Sequence, residues 1–415
     1  MTEKKYYPWL LVLVYSMLGI FCPAAVTQFS MVVDDLAKAL QVDQQIVLQA
    51  DTCRAVCLVI AMFLSSYIYR RLGLRKTIAL GLAFQALPQF IIPFAVSINS
   101  IPLFFIAKAS QGLNAIAFPL YISAITMWID KRYYALSTAI FNGSFTAGAG
   151  VGAWISGRIV PAMGWRSSFY IIGIMVVICS VPVLLLTRDR TVQNPAEPEI
   201  KHRGVYTNIV RNPVTWMCVF ALLANTWVTQ AVTVDMSVYS KSLNYSYSSI
   251  GNMMLIISAV TVISSIIAGA VSDAAAARSK NKIRARSIVM GAGYALSAAA
   301  AALIAPMAGV SFMALEITAC MMMFGASWAI GVFWALPSEI YDPSDSVAGV
   351  AFCSGASNIP NPIASAVVGV VLGTRGYWGA AWMTCAATSV ISLIASIMLS
   401  KQKAVSLSAD SEGNR

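Results

Sequence analysis

Charge is scarce in this chain. Asp, Glu, Lys and Arg together make up 11% of its 415 residues, against roughly 25% in an ordinary soluble domain. With 58% of residues hydrophobic, a soluble globular fold of this length is excluded. Histidine is scarcer still. The single one, His202, sits in a polar stretch, which rules out a histidine-based metal or catalytic centre inside the apolar runs. No Gly-x-x-x-x-Gly-Lys-Ser/Thr loop occurs and no segment has room for a nucleotide-binding domain, so pumping by ATP is disfavoured. The alternation expected of a membrane β-barrel is missing too, because the apolar runs are continuous. No catalytic residues cluster at one interface, as a lipid-modifying membrane enzyme would need. No added soluble domain points to a sensor. Cysteine is not lacking, but Cys22, Cys53, Cys57, Cys179, Cys218, Cys320, Cys353 and Cys385 all lie in apolar runs. They are expected as small buried hydrophobes, with no metal site and no cofactor.

What the chain has is long apolar runs separated by short polar ones. A helix needs about 20 apolar residues to cross a hydrocarbon core. The runs are Pro8–Val33, Ile46–Tyr69, Thr77–Val96, Ile101–Trp128, Ala135–Val160 and a sixth ending near Thr187. Six more cover roughly 213–238, 248–271, 286–308, 310–336, 346–373 and 377–400. The expectation is an all-α polytopic membrane protein with 12 transmembrane helices. Residues 1–187 would form an N-terminal six-helix bundle, 188–212 a cytoplasmic linker, 213–400 a C-terminal six-helix bundle and 401–415 a disordered cytoplasmic tail. Pro8–Val33 is too long for the core of a cleavable leader and is taken as a retained first span, kinked at Pro23. Asp34–Gln45 is expected as an outer loop.

The net charge of +11 does not indicate nucleic acid. Most Lys and Arg fall in loops on one side, the pattern that marks cytoplasmic loops and favours anionic lipid headgroups. The densest is Arg70-Arg71-Leu72-Gly73-Leu74-Arg75-Lys76, between the second and third spans. Placing it in the cytoplasm puts both termini there as well. The short loops fit a bacterial inner membrane, and a monomer is expected.

The two halves echo each other. Asp130, Gly143 and Gly164 recur as Asp342, Gly355 and Gly376 at one constant offset. The basic loop has a second-half counterpart in Gly269-Ala-Val-Ser-Asp273, followed by Arg278, Lys280, Lys282, Arg284 and Arg286. Parallel six-helix repeats are a transporter architecture, with substrate held between them near the midplane.

These motifs resemble the major facilitator superfamily. Its loop signature is Gly-x-x-x-Asp-Arg/Lys-x-Gly-x-Arg/Lys-Arg/Lys. Arg71, Gly73, Arg75 and Lys76 match it, while Ser66 and Arg70 replace its Gly and Asp. Gly269 and Asp273 keep the pair that the first copy lacks. Lys108-Ala-Ser-Gln111-Gly112 resembles the family's Arg-x-x-Gln-Gly, and Gly164-Trp165-Arg166-Ser-Ser-Phe169 its Gly-Trp-Arg-x-x-Phe. Phe333-Trp334-Ala335-Leu336-Pro337 and Ala348-Gly349-Val350-Ala351 resemble the organic anion:cation symporter branch. Ser354 to Asn361 departs from that branch's Asn-x-x-x-Asn. The resemblance implies the major facilitator fold, alternating access, and a gating role for Arg71, Gly73, Arg75, Lys76, Gly269 and Asp273.

Charges inside spans are costly and functional by default. Asp51 and Arg54 lie three apart on one helical face; Lys108 sits in the fourth span, Asp235 in the seventh and Glu316 in the tenth. Lys108 and Arg54 are candidates for gripping a substrate carboxylate, with Gln111, Tyr121, Trp334, Asn358 and Asn361 as lining. Asp51, Glu316 and Asp235 are candidates for proton coupling, because burial and neighbouring charge act on a carboxyl differently as a cavity opens and closes. The reading is a secondary transporter of a small organic anion, proton-coupled. The alternative is a proton-coupled exporter of hydrophobic compounds. Gln28, Asn225, Trp227 and Trp328 are further polar or aromatic candidates for the cavity wall.

Overall fold

The computed structural model describes residues 6–130, 133–188, 209–333, 336, 340, 352–353 and 355–402. His202, Trp334, Asp342 and the motif at Ala348–Ala351 lie outside them, as does most of the polar stretch 188–212. All regular structure among the described residues is helical.

In chain order the helices are α1 Tyr7–Met31, α2 Val33–Leu40, α3 Gln44–Leu72, α4 Leu74–Ser97 and α5 Ile101–Gly112. A 3-10 turn, Leu113–Ile116, joins α5 to α6 Phe118–Thr126; α7 Tyr134–Met163 and α8 Trp165–Leu186 follow. Next comes α9 Pro213–Gln230, which continues through a π-helical turn, Ala231–Asp235, into α10 Met236–Ser242. The rest are α11 Tyr247–Arg278, α12 Lys282–Ala308, α13 Phe312–Phe333, α14 Pro360–Ala364 running into a nine-residue π-helical segment, Ser365–Gly373, and α15 Trp378–Leu399. Among the described residues, eleven helical stretches, three of them running through the 3-10 or π-helical turns, are long and apolar enough to cross a membrane. Glycine-rich α7, 30 residues long, occupies the place of the expected fifth span and brings the set to the expected twelve.

Large apolar side chains point away from the protein along these helices. Leu185 is 68% exposed and Met313 70%. In water such surface would drive aggregation; in hydrocarbon it is the matching solvent. Inside, helices are joined by small hydroxyls reaching a neighbour's backbone, as lipid-embedded bundles commonly are.

The chain packs as two compact units. The first comprises residues 1–191, 231–259 and 361–377, so it includes the π turn, α10, the start of α11 and the π-helical segment after α14. Its core holds Tyr15, Leu18, Ile78, Leu82, Tyr121 and Phe141. Ser65 Oγ donates to Ile116 O at 2.6 Å and Gln85 Nε2 to Cys22 O at 2.7 Å, tying α3 and α1 to their neighbours. The second unit comprises 192–230, 260–360 and 378–415. Its core includes Cys218, Leu222, Met290, Tyr294, Phe333 and Leu399. Ser392 Oγ donates to Phe220 O at 2.8 Å, and Asn225 Nδ2 to Ala326 O at 3.1 Å.

The expected outer loop at 34–45 is largely a helix. In α2, Val33, Leu36, Ala37 and Leu40 are buried at helical spacing, Asp34 and Asp35 occupy the first turn, and Lys38 the last. That pattern makes one apolar face and complements the helix dipole. The loop reading missed it because the segment is short and polar overall. The fourth span, expected as one helix, is interrupted by the 3-10 turn directly after Gly112.

Candidate functional site

The basic loop marks one end of the first unit; the buried charges lie toward the other. Asp51 is about two turns into α3, Lys108 about two turns into α5, and Asp235 about two turns before the end of α10. The three share one depth although they come from distant parts of the sequence.

Asp51 and Arg54 meet as their spacing predicts. Arg54 Nε donates to Asp51 Oδ1 at 2.6 Å and Nη2 to Oδ2 at 3.0 Å, a bidentate pair. Lys108 Nζ reaches the same Asp51 Oδ1 at 3.2 Å from α5. It also donates to Gln111 Oε1 at 3.0 Å and lies 3.8 Å from the ring centroid of Phe29 on α1. Asp51 and Lys108 are completely enclosed and Arg54 is 4% exposed. Gly112 makes the approach of α5 possible, because a methyl group there would collide with the carbonyl oxygen of Arg54.

This triad holds two cations and one carboxylate, leaving one positive charge in excess. Enclosing ions is expensive unless pairing and hydrogen bonds compensate. Here the pairing is nearly saturated on Lys108, whose three contacts are a carboxylate, an amide oxygen and an aromatic face. On Arg54, Nε and Nη2 are committed to Asp51 and no hydrogen bond from Nη1 is seen among the described residues. Gln111 Nε2, buried beside them, has no acceptor. Two donors aimed at the same neighbourhood, next to a surplus positive charge, constitute an anion-binding arrangement.

Asp235 lies near this group but outside its pairing. It is fully enclosed, and neither carboxyl oxygen has a hydrogen-bond partner. Its neighbours are Gly369 in the π-helical segment and, beside that glycine, Leu48 one turn before Asp51.

The other candidates are not gathered here. Tyr121 packs in the apolar core with its ring 5.7 Å from Tyr15 and 6.0 Å from Phe141. Glu316 belongs to the second unit, half-buried one turn into α13. Asn358 and Asn361 flank the start of α14, and Asn361 Oδ1 is buried without a partner. Trp227 and Trp328 are tied by their indole nitrogens to Thr384 Oγ1 and Val289 O inside the second unit. Phe29, Thr52, Ser365 and Gly369 were not anticipated. Thr52 Oγ1 and Ser365 Oγ share a 3.2 Å hydrogen bond, but nothing local in either sequence marks them as partners.

At the loops, Gly73 takes φ +78° between α3 and α4, a left-handed value that disfavours any side chain. The guanidinium of Arg71 stands 4.8 Å from the Tyr67 ring centroid, and Arg71, Arg75 and Lys76 are exposed. In the second copy, Arg286 Nη1 donates to Asp273 Oδ1 at 2.8 Å and to Ser272 Oγ at 2.9 Å, linking α11 to α12. Gly269 faces the backbone of Gly331 on α13.

A polar cluster closes the end opposite the basic loop. Tyr247 OH donates to Asp35 Oδ2 at 2.5 Å, and Lys241 Nζ lies 3.4 Å from the Tyr247 ring centroid. Gln44 Nε2 donates to Asp34 Oδ1 at 2.7 Å. Partial burial, with Asp35 beside it, raises the pKa of Asp34, while Lys241 and Lys38 oppose the rise.

A sequence profile described as "Major Facilitator Superfamily" matches residues 9–284. No curated protein matches the chain significantly. Among solved structures, a D-xylose–proton symporter aligns with a TM-score of 0.70 at 15% identity, covering 96% of this chain and 98% of that one. A bacterial homologue of the human lysosomal transporter Spinster, in an inward-facing and unoccupied conformation, aligns with a TM-score of 0.73 at 12% identity, covering 96% and 97%. At such identities the likeness is one of fold.

Proposed function

Since the chain belongs to the major facilitator superfamily, which points to transport rather than catalysis, we propose that it is a secondary transporter moving a small organic anion by alternating access, coupled to protons. The observation that carries this reading is the enclosed triad Asp51–Arg54–Lys108 with its one surplus positive charge. Arg54 Nη1 is the docking atom for a substrate carboxylate and Gln111 Nε2 a second donor. Lys108 acts at one remove, holding Asp51 so that Arg54 is presented in a fixed orientation. Net positive charge in a low-dielectric site favours an anion over a cation or a neutral apolar solute. The exporter of hydrophobic compounds gains nothing from two buried cations.

Proton coupling belongs to the buried carboxyls. An enclosed carboxylate without a donor costs far more than an enclosed carboxylic acid, so a carboxyl that moves between solvated and sealed surroundings exchanges a proton as it does so. We place the basic loop and both termini in the cytoplasm of a bacterial inner membrane, with residues 1–187 and 213–400 as the two moving six-helix halves and the protein as a monomer. We assign a gating role at the cytoplasmic face to the loop residues Arg71, Gly73, Arg75 and Lys76 and to the pair Gly269 and Asp273.

The test is uptake into proteoliposomes across a panel of small carboxylates, with and without an inward proton gradient. Saturable uptake of at least one carboxylate that collapses with a protonophore supports the proposal. Uptake confined to cationic or neutral apolar compounds sinks it.

A further inference from the structure

The second carboxyl near the triad has a setting that pairing does not explain. Asp235 ends the π-helical turn Ala231–Asp235 and is sealed by a second π-helical segment, Ser365–Gly373. π-Helical geometry is rare and concentrates at functional sites; here two such stretches meet at one side chain. Gly369 lies directly over the carboxyl, so that a methyl group in its place would collide with Asp235 Oδ1. The segment is held on α3 by the hydrogen bond between Ser365 and Thr52. On the other side, Ser30 Oγ of α1 donates to Thr233 O of the π turn at 3.2 Å.

None of the charged groups around Asp235 pairs with it. From α3 these are Asp51 and Arg54, and from α5 Lys108. The segment Ser365–Gly373 carries no charge, and Lys241 is nearly two turns away along α10, against the Tyr247 ring. Arg54 and Lys108 direct the contacts described above at Asp51. Asp51 acts on Asp235 as a like charge if both are ionised, and no cation donates to either Asp235 oxygen. A carboxylate sealed in this way would have no donor on either oxygen, at a cost of several kcal/mol. A carboxylic acid would cost far less, and a proton, unlike a metal ion, needs no shell of oxygen ligands.

We propose that Asp235 is the proton site of this transporter: the segment Ser365–Gly373 seats on α3 only over a protonated Asp235, and one proton thereby accompanies each monovalent anion. The stoichiometry rests on the anion reading above and follows from charge. With Asp235 neutral, the triad retains one positive charge, which one monoanion cancels. Closure over the loaded site then seals no net charge. A dianion, or an anion without the proton, would leave one.

The seating is testable without any substrate. Thr52→Cys and Ser365→Cys, placed in a background carrying Cys53→Ser and Cys57→Ser, form a disulfide when the segment is seated. The oxidised fraction is measured on the full chain in nanodiscs from about pH 5.5 to about pH 8.5, in potassium and in sodium buffers. Thiolate chemistry alone would make it rise with pH. The expected result is a fall of about threefold or more as Asp235 loses its proton, and a fraction that is high and follows thiolate chemistry alone once Asp235→Asn is added. A wild-type profile that matches Asp235→Asn, or cross-linking restored at high pH by sodium, overturns the proton site. Should the cysteine pair fail to fold, hydrogen exchange of residues 365–373 in the unaltered chain serves instead. Protection, corrected for intrinsic rates, must weaken with rising pH and must not do so in Asp235→Asn.

The count is tested separately. Proton-driven uptake of a monocarboxylate must be indifferent to a potassium–valinomycin potential; a response to potential overturns one-for-one coupling. Absence of any carboxylate uptake sinks the anion reading and leaves the cross-linking result standing.

Discussion

Lys108 Nζ lies 3.2 Å from Asp51 Oδ1, and both side chains are wholly enclosed. They come from different helices, and neither has water to fall back on. Removing the shared carboxylate should therefore cost more than removing it together with Lys108. Lys108→Met leaves Asp51 paired with Arg54 alone, and Asp51→Asn leaves two cations facing each other. For Asp51→Asn, which strands both cations, the cost of a broken buried pair is about 3–5 kcal/mol. The double variant Lys108→Met/Asp51→Asn should recover a measurable part, with a coupling of about 0.5–3 kcal/mol. Thermal unfolding of the four proteins in one detergent closes the cycle; strict additivity would show that the contact is energetically silent.

Arg54 should behave differently from Lys108. If its Nη1 meets the substrate, Arg54→Lys keeps the charge but loses the planar fork that grips Asp51 and an anion together. Uptake by Arg54→Lys should show a KM raised by about tenfold or more, the loss of one charge-assisted bond. Thermal stability should fall less than in Asp51→Asn. An unchanged KM with a lowered maximal rate would place the substrate elsewhere.

The Asp34 carboxyl makes the end opposite the basic loop sensitive to pH. Its pKa is raised by partial burial and by Asp35. A folded value above the unfolded one means that the neutral form suits the fold. Its stabilising share is complete below the ordinary carboxylate range, near 3.9, and is lost as pH rises through the raised value. Asp34→Asn should remove that slope, leaving the melting temperature flatter above the carboxylate range and higher than in the parent, while Asn still offers an acceptor to Gln44. Melting curves across the acid range decide it; a parent that stabilises as Asp34 ionises would contradict the sign.

Tyr247 holds α11 to α2 through Asp35 while its ring carries Lys241. Tyr247→Phe keeps the ring and removes the hydroxyl, a loss of about 1–2 kcal/mol for a hydrogen bond to a charged acceptor that is partly exposed. Hydrogen exchange in residues 33–40 and 247–252 should rise together. An increase in only one of the two segments would mean that the hydroxyl does not join them.

Much of the fold could be read along the chain. Continuous apolar runs, each long enough to cross hydrocarbon, gave the spans, and the recurrence of Gly164 as Gly376 is matched in space, for both take positive φ, at +80° and +76°. The pair Asp51 and Arg54 followed from helical spacing. The reading faltered where structure depends on a short amphipathic face, as in α2, or on a break in a helix, as after Gly112. It could not find Gly369, because one glycine in an apolar run looks like another until its neighbour is known.

Hydropathy and loop charge are local quantities, and they determined by themselves that this chain is a many-span helical membrane protein with a handful of ionisable groups buried in it. Which of those groups share a counterion is a question of helix against helix. Lys108 is paired because α5 presses on α3 at a glycine, and Asp235 is unpaired because what closes over it is a glycine in a segment more than a hundred residues away. A carboxyl buried with a cation and one buried against bare backbone are identical letters in a sequence. They differ in electrostatic free energy by several kcal/mol, and only the tertiary structure decides between them.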